Sequence, residues 1–343
     1  MWVPVPTSTK SMKTLIVGHD DARRLLPMSE CIDVMEDLFK TLARGEAVLP
    51  LRQIIVQPDK KGMFGAMPAY LGSPRAIGGK FITVFNGNRD SRFESHQGVV
   101  LLFECENGRL LAVVDATAVT NIRTAAASGA ATRVLARNDA TDLAILGSGA
   151  QASAHLAAMR AVRGITKVRV WSRNQEHARR FAAAESSREL PVEVMPSAEE
   201  AVSKADLICT TTAAIDPILK GEWISPGTHV NAVGASIPGY RELDSQAMVM
   251  SILYTDRRES LFNEADDFLM PLREGAINEN HLRGEIGEVL VGKVDGRTSD
   301  AEVTLFKSHG LAAEDLAAAY HIYVKAEEKR LGMWVDFSGE RRL

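Results

Sequence analysis

Asp142-Leu143-Ala144-Ile145-Leu146-Gly147-Ser148-Gly149-Ala150-Gln151-Ala152 is the stretch that decides the fold. An apolar run long enough for one buried strand feeds directly into Gly-x-Gly-x-x-Ala, and a helix-forming segment follows from Ala154 to Val162. Strand, glycine turn and helix in that order are the setting in which such a motif means dinucleotide binding. Gly147 permits the tight turn, and Gly149 lets backbone approach a pyrophosphate. Ala152 stands where the third glycine would be and still allows close helix–strand packing. The start of the helix, through Ser148, Ala150 and Gln151, offers N–H groups and the positive end of a dipole.

Downstream the pattern alternates. Strands are expected at about 142–147, 167–172, 191–195, 206–211, 228–234 and 251–254, with helical segments at 150–163, 174–187 and 197–204 between them. This βαβ rhythm predicts a parallel, doubly wound sheet of the Rossmann kind. Alanine-rich Thr124 to Leu135 predicts a helix leading into it. Upstream, Leu15 to Val17 reads as a short strand. Ser29 to Ala43 reads as an amphipathic helix, with Ile32, Met35, Leu38, Phe39 and Leu42 on one face. Residues 53–56, 63–68, 79–85, 98–104 and 110–114 are strand-like, so the front section is expected to be an α+β domain dominated by sheet. The last helix, Ala312 to Arg330, is amphipathic and could pack back on that domain. There are no internal repeats.

Bulk properties narrow the function classes. With 343 residues, two domains are the default expectation. The formal charge of −4 and the lack of a basic cluster give no reason to expect nucleic acid. Cys31, Cys105 and Cys209 are widely spaced without a C-x-x-C pair, which argues against a disulfide framework or a zinc site and fits a reducing cytoplasm. No apolar stretch is long enough to span a bilayer, so no membrane partner is expected. Met1 to Lys13 lacks the apolar core of a signal peptide and reads as a flexible leader, with Met12 an alternative start.

The end of the second strand speaks to cofactor choice. An acidic residue there accepts the ribose 2′-hydroxyl of NAD, whereas arginine accommodates a 2′-phosphate. Here the strand Lys167-Val168-Arg169-Val170-Trp171 ends in Ser172-Arg173-Asn174, with no acid. Ser172 can hydrogen-bond a phosphate, and Arg173 can pair with it and stack on adenine. The expectation is NADPH preferred with NADH accepted; an exposed turn residue is the plainer account of Arg173.

Taken together, further motifs resemble the ornithine cyclodeaminase/mu-crystallin family over about Leu15 to Gly332. They include Pro50-Leu51-Arg52, Met67-Pro68-Ala69-Tyr70, Gly78-Gly79-Lys80-Phe81 and Asn121-Ile122-Arg123-Thr124-Ala125-Ala126. Asn231-Ala232-Val233-Gly234, Glu242-Leu243-Asp244, Gly284-Glu285-Ile286-Gly287-Glu288 and Thr304-Leu305-Phe306-Lys307-Ser308 follow in order. The resemblance implies a Rossmann domain, 123–313, inserted in a substrate-binding domain that also dimerises, 1–122 with 314–343. It also implies a homodimer and a small imino- or amino-acid substrate.

The family's carboxylate-binding residues correspond to Arg52, Lys80 and Arg123. Two guanidinium groups can hold a carboxylate by paired hydrogen bonds, and a lysine of lowered pKa can give or take a proton at nitrogen. Ordinary surface ion pairing is the alternative for Arg52 and Arg123. For Arg123 the small, apolar Ile-Arg-Thr-Ala-Ala-Ala setting speaks against it. Ser95 or His96 lies near where relatives place a hydroxyl toward the substrate, and a surface turn accounts for either equally well. Thr124 and His309 are expected beside the cofactor, the latter in a segment that approaches the nicotinamide in relatives. Pocket walls are expected from Met67 and Tyr240.

One departure carries weight. Cyclodeaminases have an aspartate just after the Asn-Ala-Val-Gly strand, thought to assist chemistry at the substrate amine; here the corresponding residue is Ser236. Serine is a poor base and cannot stabilise a cationic amine as a carboxylate does. Ketimine-reductase members resemble this chain both in that serine and in the arginine after the second strand. The expected activity is therefore NAD(P)H-dependent reduction of cyclic or open-chain α-imino acids, of the Δ1-pyrroline-2-carboxylate or Δ1-piperideine-2-carboxylate type. Ornithine cyclodeamination, amino-acid dehydrogenation and a non-enzymatic ligand carrier are the alternatives. His155, His177, His281 and His321 read as packed or surface residues. Glu285 and Glu288 could share a helical face but lack His or Cys company, so no metal site is expected. Asp315 reads as a residue that caps or orients the last helix, and Asp115 as a partner orienting Arg123.

Overall fold

The strand Asp142–Leu146 lies inside a sheet of eight parallel strands, where four of its five residues are buried. The computed structural model describes residues 13–337 apart from 86, 89 and 90. The leader and the alternative start at Met12 lie outside the described residues. The chain divides into two compact units, Met1–Arg123 with Leu311–Leu343, and Thr124–Gly310.

The first unit opens with β1 (Thr14–Val17), α1 (His19–Leu25), α2 (Met28–Ala43), β2 (Ala47–Val48), β3 (Gln53–Val56), β4 (Met63–Gly72), β5 (Arg75–Val84), β6 (His96–Phe103) and β7 (Leu110–Asp115). Helix α3 (Ala116–Leu135) follows, with the unit boundary after Arg123. The second unit contains β8 (Asp142–Leu146), α4 (Ala150–Val162), β9 (Lys167–Trp171), α5 (Gln175–Glu185), β10 (Val192–Val194), α6 (Ala198–Val202), β11 (Leu207–Thr210) and β12 (His229–Ala232). It continues through α7 (Ser245–Met250), β13 (Ile252–Thr255), α8 (Arg258–Glu264), α9 (Asp266–Arg273), β14 (Leu282–Glu285), α10 (Ile286–Leu290) and β15 (Thr304–Lys307). The chain then returns to the first unit with α11 (Ala312–Lys329) and β16 (Met333–Val335).

In the second unit the strand order is β10-β9-β8-β11-β12-β15-β13-β14, every pair parallel. The order reverses between β8 and β11, and ligands of such sheets bind beyond the carboxyl ends of the strands at that point. Strands covered on both faces read as continuous apolar runs, which is why β8 and β11 were legible. Two further strands, β14 and β15, and helices α7–α10 were not foreseen. β15 is fully buried between β12 and β13, yet it ends in Lys307, which a core-strand pattern rejects.

In the first unit the order is β16-β1-β7-β6-β5-β4-β2, with β3 also pairing β4; only β1–β7 is parallel. Along β5, Ala76, Lys80 and Ile82 are buried on the face covered by α11. A Cβ added at Gly78 would stand 2.0 Å from the Leu101 carbonyl oxygen of β6 and 3.0 Å from the Leu316 side chain, so glycine is needed by the neighbouring strand first and by the helix second. The other face keeps Ile16, Phe64 and Ile77 exposed, and Phe64 packs against Phe81 at 6.4 Å between ring centres. Helix α2 buries Ile32, Met35, Leu38 and Phe39 as its periodicity predicted, while Leu42 of the same face is half-buried. Helix α3 starts eight residues before the expected Thr124 because Asp115 caps it, accepting from the Ala118 N–H at 2.7 Å. Asp115 also pairs with His19 at 3.1 Å. It therefore does not orient Arg123 in the way its sequence position suggested.

Candidate functional site

Each unit carries one cluster of the expected residues. In the second unit the Gly147–Ala152 turn joins β8 to α4. Gly147 has φ of +127°, and a Cβ there would stand 2.5 Å from the Thr211 hydroxyl, so only glycine fits. Gly149 is different. Its backbone is extended, it precedes the first turn of α4, and a Cβ on it would meet no protein atom within 4 Å. What its missing side chain leaves open is the space in front of the helix N-terminus. The Ala152 and Ser153 N–H groups bond to the Gly149 carbonyl, and the first turn holds no acidic residue. A pyrophosphate fits that cradle: N–H groups of Ala150 and Gln151, an aligned dipole and no competing carboxylate.

At the end of β9, the Ser148 hydroxyl donates to the Ser172 hydroxyl at 3.1 Å, fixing the two turns together, and Arg173 is exposed beside them. The Asn174 side-chain oxygen accepts from the Glu176 and His177 N–H groups, so it serves as the cap of α5. Thr124 is buried. His309 is buried too, and its N–H, with that of Gly310, is held by Asp256 at 2.6 and 2.9 Å. Ser236 and Tyr240 are half-buried on the loop after β12. Burial holds the His155 imidazole near pKa 4, so it is neutral, packed between Ser128 and the Gln151 carbonyl. Glu285 and Glu288 form a reciprocal capping box at the start of α10.

The first unit brings Lys80 and Arg123 together through two acids of α11. Lys80 Nζ lies 2.8 Å from Asp315 Oδ2 and donates to the Thr120 hydroxyl at 3.4 Å. Arg123 Nε donates to Asp315 Oδ1 at 2.8 Å, and Arg123 Nη1 donates to Glu314 Oε2 at 2.6 Å. All four side chains are 5% exposed or less, so both charges of each sign are compensated inside the unit. Met67 is the register partner of Lys80 on β4 and is buried beside it. Arg52 is half-buried, and its charge reaches Lys80. Ser95 and His96 pair with each other at 3.0 Å at the exposed start of β6.

Burial lowers the Lys80 pKa to about 8, against the pull of Asp315 in the opposite direction; Arg123 and Arg52 lower it further. Burial works against the Asp315 charge as well, but Arg123 and Lys80 more than offset it and hold the carboxyl below its ordinary range. Asp315 is thus not the helix cap that its place in α11 suggested. It is the shared counter-ion of two buried cations. Glu314 and Thr120 were missed altogether. The available signal was two adjacent acids in the otherwise apolar Leu311-Ala312-Ala313-Glu314-Asp315-Leu316-Ala317 run, since buried carboxylates demand cationic partners.

Comparison with known proteins places these clusters in a family context. The model of the ornithine cyclodeaminase/mu-crystallin family matches residues 12–330. The chain is similar to the ketimine reductase mu-crystallin of Mus musculus, 40% identical over 279 residues, covering 81% of this chain and 85% of that protein. It is similar to the structure of Thermococcus litoralis Δ1-pyrroline-2-carboxylate reductase in complex with NADH and L-proline. That match has 37% identity and a TM-score of 0.90, covering 93% of this chain and 99% of the other. An archaeal alanine dehydrogenase dimer with bound NAD is also similar, at 34% identity and a TM-score of 0.89, with 95% and 99% covered.

Proposed function

The chain belongs to the ornithine cyclodeaminase/mu-crystallin family, and we propose that it reduces α-imino acids of the Δ1-pyrroline-2-carboxylate or Δ1-piperideine-2-carboxylate type to L-amino acids. It is an NAD(P)H-dependent oxidoreductase acting on C=N bonds. The observation that carries the substrate class is the buried set Lys80, Asp315 and Arg123: a titratable ammonium beside a guanidinium, both on one carboxylate.

An α-imino acid offers that set a carboxylate and a nitrogen. Two of the three guanidinium nitrogens of Arg123 are engaged by Asp315 and Glu314, which fixes the plane of the group. Paired hydrogen bonds to the substrate carboxylate therefore fall chiefly to Arg52, with Arg123 adding charge and its remaining N–H groups. With a pKa of about 8, Lys80 is an ammonium at neutral pH and can give its proton to the substrate nitrogen. Asp315 holds the ammonium in place, and Thr120 orients it. The nicotinamide supplies the hydride when bound, and its pyrophosphate is held by the N–H groups at the start of α4. As the hydride adds to the imine carbon, the π electrons pass to nitrogen, which keeps the proton from Lys80; the neutral amine of Lys80 regains a proton from water. Ser236 offers a hydroxyl where the lyases of the family carry a carboxylate, which supports reduction over ammonia loss.

The preferred cofactor in this proposal is NADPH, supported by Ser172 and the exposed Arg173 at the end of β9 and by the lack of an acid there. The assembly is a homodimer, supported by the apolar sheet face of Ile16, Phe64 and Ile77 and by the dimeric alanine dehydrogenase likeness. That same likeness supports a second reading, oxidation and reduction of an open-chain amino acid by the same groups. The setting is the cytoplasm, supported by three free cysteines. Among the described residues no helix is long and apolar enough to cross a membrane.

The test is incubation of Δ1-pyrroline-2-carboxylate with cofactor deuterated at C4 of the nicotinamide, followed by mass spectrometry of the product. L-proline carrying one deuterium at Cα is expected. Unlabelled proline, or none, contradicts the proposal.

A further inference from the structure

Among the charged side chains that the second unit buries, three form a cluster that the steps above do not use. Glu242 is fully buried, and its carboxylate accepts four hydrogen bonds. Oε1 takes the Thr212 N–H at 2.6 Å and the Thr212 hydroxyl at 2.7 Å. Oε2 takes the Thr210 hydroxyl at 2.7 Å and the Gly234 N–H at 2.7 Å. Behind it, Asp267 Oδ1 accepts from the Glu242 and Leu243 N–H groups at 2.8 and 2.9 Å. Asp267 Oδ2 pairs with Lys307 Nζ at 2.9 Å, both residues fully buried. The lysine neutralises the aspartate. Within this trio one negative charge is left over, on Glu242 in its carboxylate form.

Its location gives that charge a consequence. Thr210 ends β11, Gly234 follows β12 and Lys307 ends β15, so the cluster sits at the carboxyl ends of adjacent parallel strands, the edge where doubly wound sheets receive their ligands. It also touches the glycine turn by a short chain of contacts. The Thr211 N–H bonds to the Leu146 carbonyl, the Thr211 hydroxyl packs against Gly147, and the next residue, Thr212, is held by Glu242. A Cβ at Gly234 would lie 1.9 Å from the Thr212 carbonyl oxygen and 2.5 Å from the Glu242 carboxylate, so glycine is required there. Two backbone N–H groups, one on each oxygen, favour the carboxylate form, because neither can turn away.

We propose that the buried negative charge of Glu242 favours the oxidised, cationic nicotinamide over the neutral reduced one, making the bound reduced cofactor a stronger hydride donor. The inference rests on nicotinamide chemistry at this edge. Uncompensated charge in a dry interior acts over several ångströms, and hydride loss places one positive charge on the ring. Burial and then Asp267 hold the Glu242 pKa above the ordinary carboxylate value, and Lys307 and the threonine hydroxyls offset that rise only in part.

The test is equilibrium binding, not turnover. Dissociation constants for oxidised and reduced cofactor, NADP+ with NADPH and NAD+ with NADH, are measured for the wild type, Glu242→Gln and Asp267→Asn by calorimetry and nicotinamide fluorescence. In both variants the ratio of oxidised to reduced dissociation constants is expected to rise on the order of tenfold. A purely structural role weakens both forms alike, so a ratio unchanged within about twofold, in whichever variant folds, overturns the inference. If neither variant folds, the wild type decides: binding of reduced over oxidised cofactor by about tenfold or more overturns it, and comparable or tighter binding of the oxidised form supports it. A wild type that binds no nicotinamide nucleotide removes the functional proposal and this inference with it.

Discussion

Lys80 Nζ and Asp315 Oδ2 lie 2.8 Å apart with both side chains buried, one on the interior strand β5 and the other in the first turn of α11. The pair joins residues 235 positions apart in sequence. It ties the protonation of the lysine to a carboxylate that also holds Arg123.

The first consequence is a pH profile. Lys80, lowered by burial to about 8, carries the proton below that pH and loses it above. Reduction is therefore expected to be fast at pH 6–7 and to fall as pH rises through about 8, with amino-acid oxidation rising over the same range. Rates followed from pH 6 to 10 check this, and a flat profile to pH 10 contradicts it. Lys80→Met is expected to cut kcat by at least about a hundredfold, with cofactor dissociation constants unchanged.

Asp315→Asn probes the other half of the pair. Without this carboxylate Lys80 loses the charge and hydrogen bond of Asp315 that raise its pKa, so the alkaline limb of any residual activity should move to lower pH. Two buried cations would then lose the carboxylate they share, and stability should fall by about 3–5 kcal/mol in denaturant unfolding. Glu314 Oε2 bonds Arg123, so Glu314→Gln should move the limb less than Asp315→Asn does. An unshifted limb in Asp315→Asn would show that Asp315 does not set the lysine.

Much of this arrangement was legible in the sequence, for identifiable reasons. Buried parallel strands such as β8 and β11 announce themselves as apolar runs, and the amphipathic α2 announces its period. Lys80 and Arg123 stood out as charges in apolar surroundings. Asp315 was misjudged because an acid in the first turn of a helix has a sufficient local explanation, the helix dipole. Its actual partners come from β5 and α3, far away in sequence. Strand β15 escaped for a related reason. Lys307 looks like a surface residue until Asp267, forty positions earlier, is seen to neutralise it.

Gly147→Ala tests the dinucleotide turn. A methyl group at φ of +127° and 2.5 Å from the Thr211 hydroxyl must displace the turn. A loss of stability of at least about 1–3 kcal/mol and a tenfold or greater loss of cofactor affinity are expected. Gly149→Ala meets no protein atom and should keep its stability while losing cofactor affinity. Thermal unfolding and cofactor titration of the two variants separate these outcomes.

Arg173→Ala addresses the choice between nucleotides. Loss of an exposed guanidinium at the end of β9 should raise KM for NADPH by about tenfold or more and leave KM for NADH within about twofold. Equal losses for both cofactors would assign Arg173 to the turn rather than to a 2′-phosphate.

The most direct test of the central claim is the initial rate of NADPH and NADH oxidation with Δ1-pyrroline-2-carboxylate and Δ1-piperideine-2-carboxylate. Pyruvate with ammonia, and ornithine assayed for ammonia release, run beside them. Imine-dependent oxidation with no ammonia from ornithine is the predicted result. Ammonia release from ornithine with both imino acids inert would contradict it and make the protein a lyase.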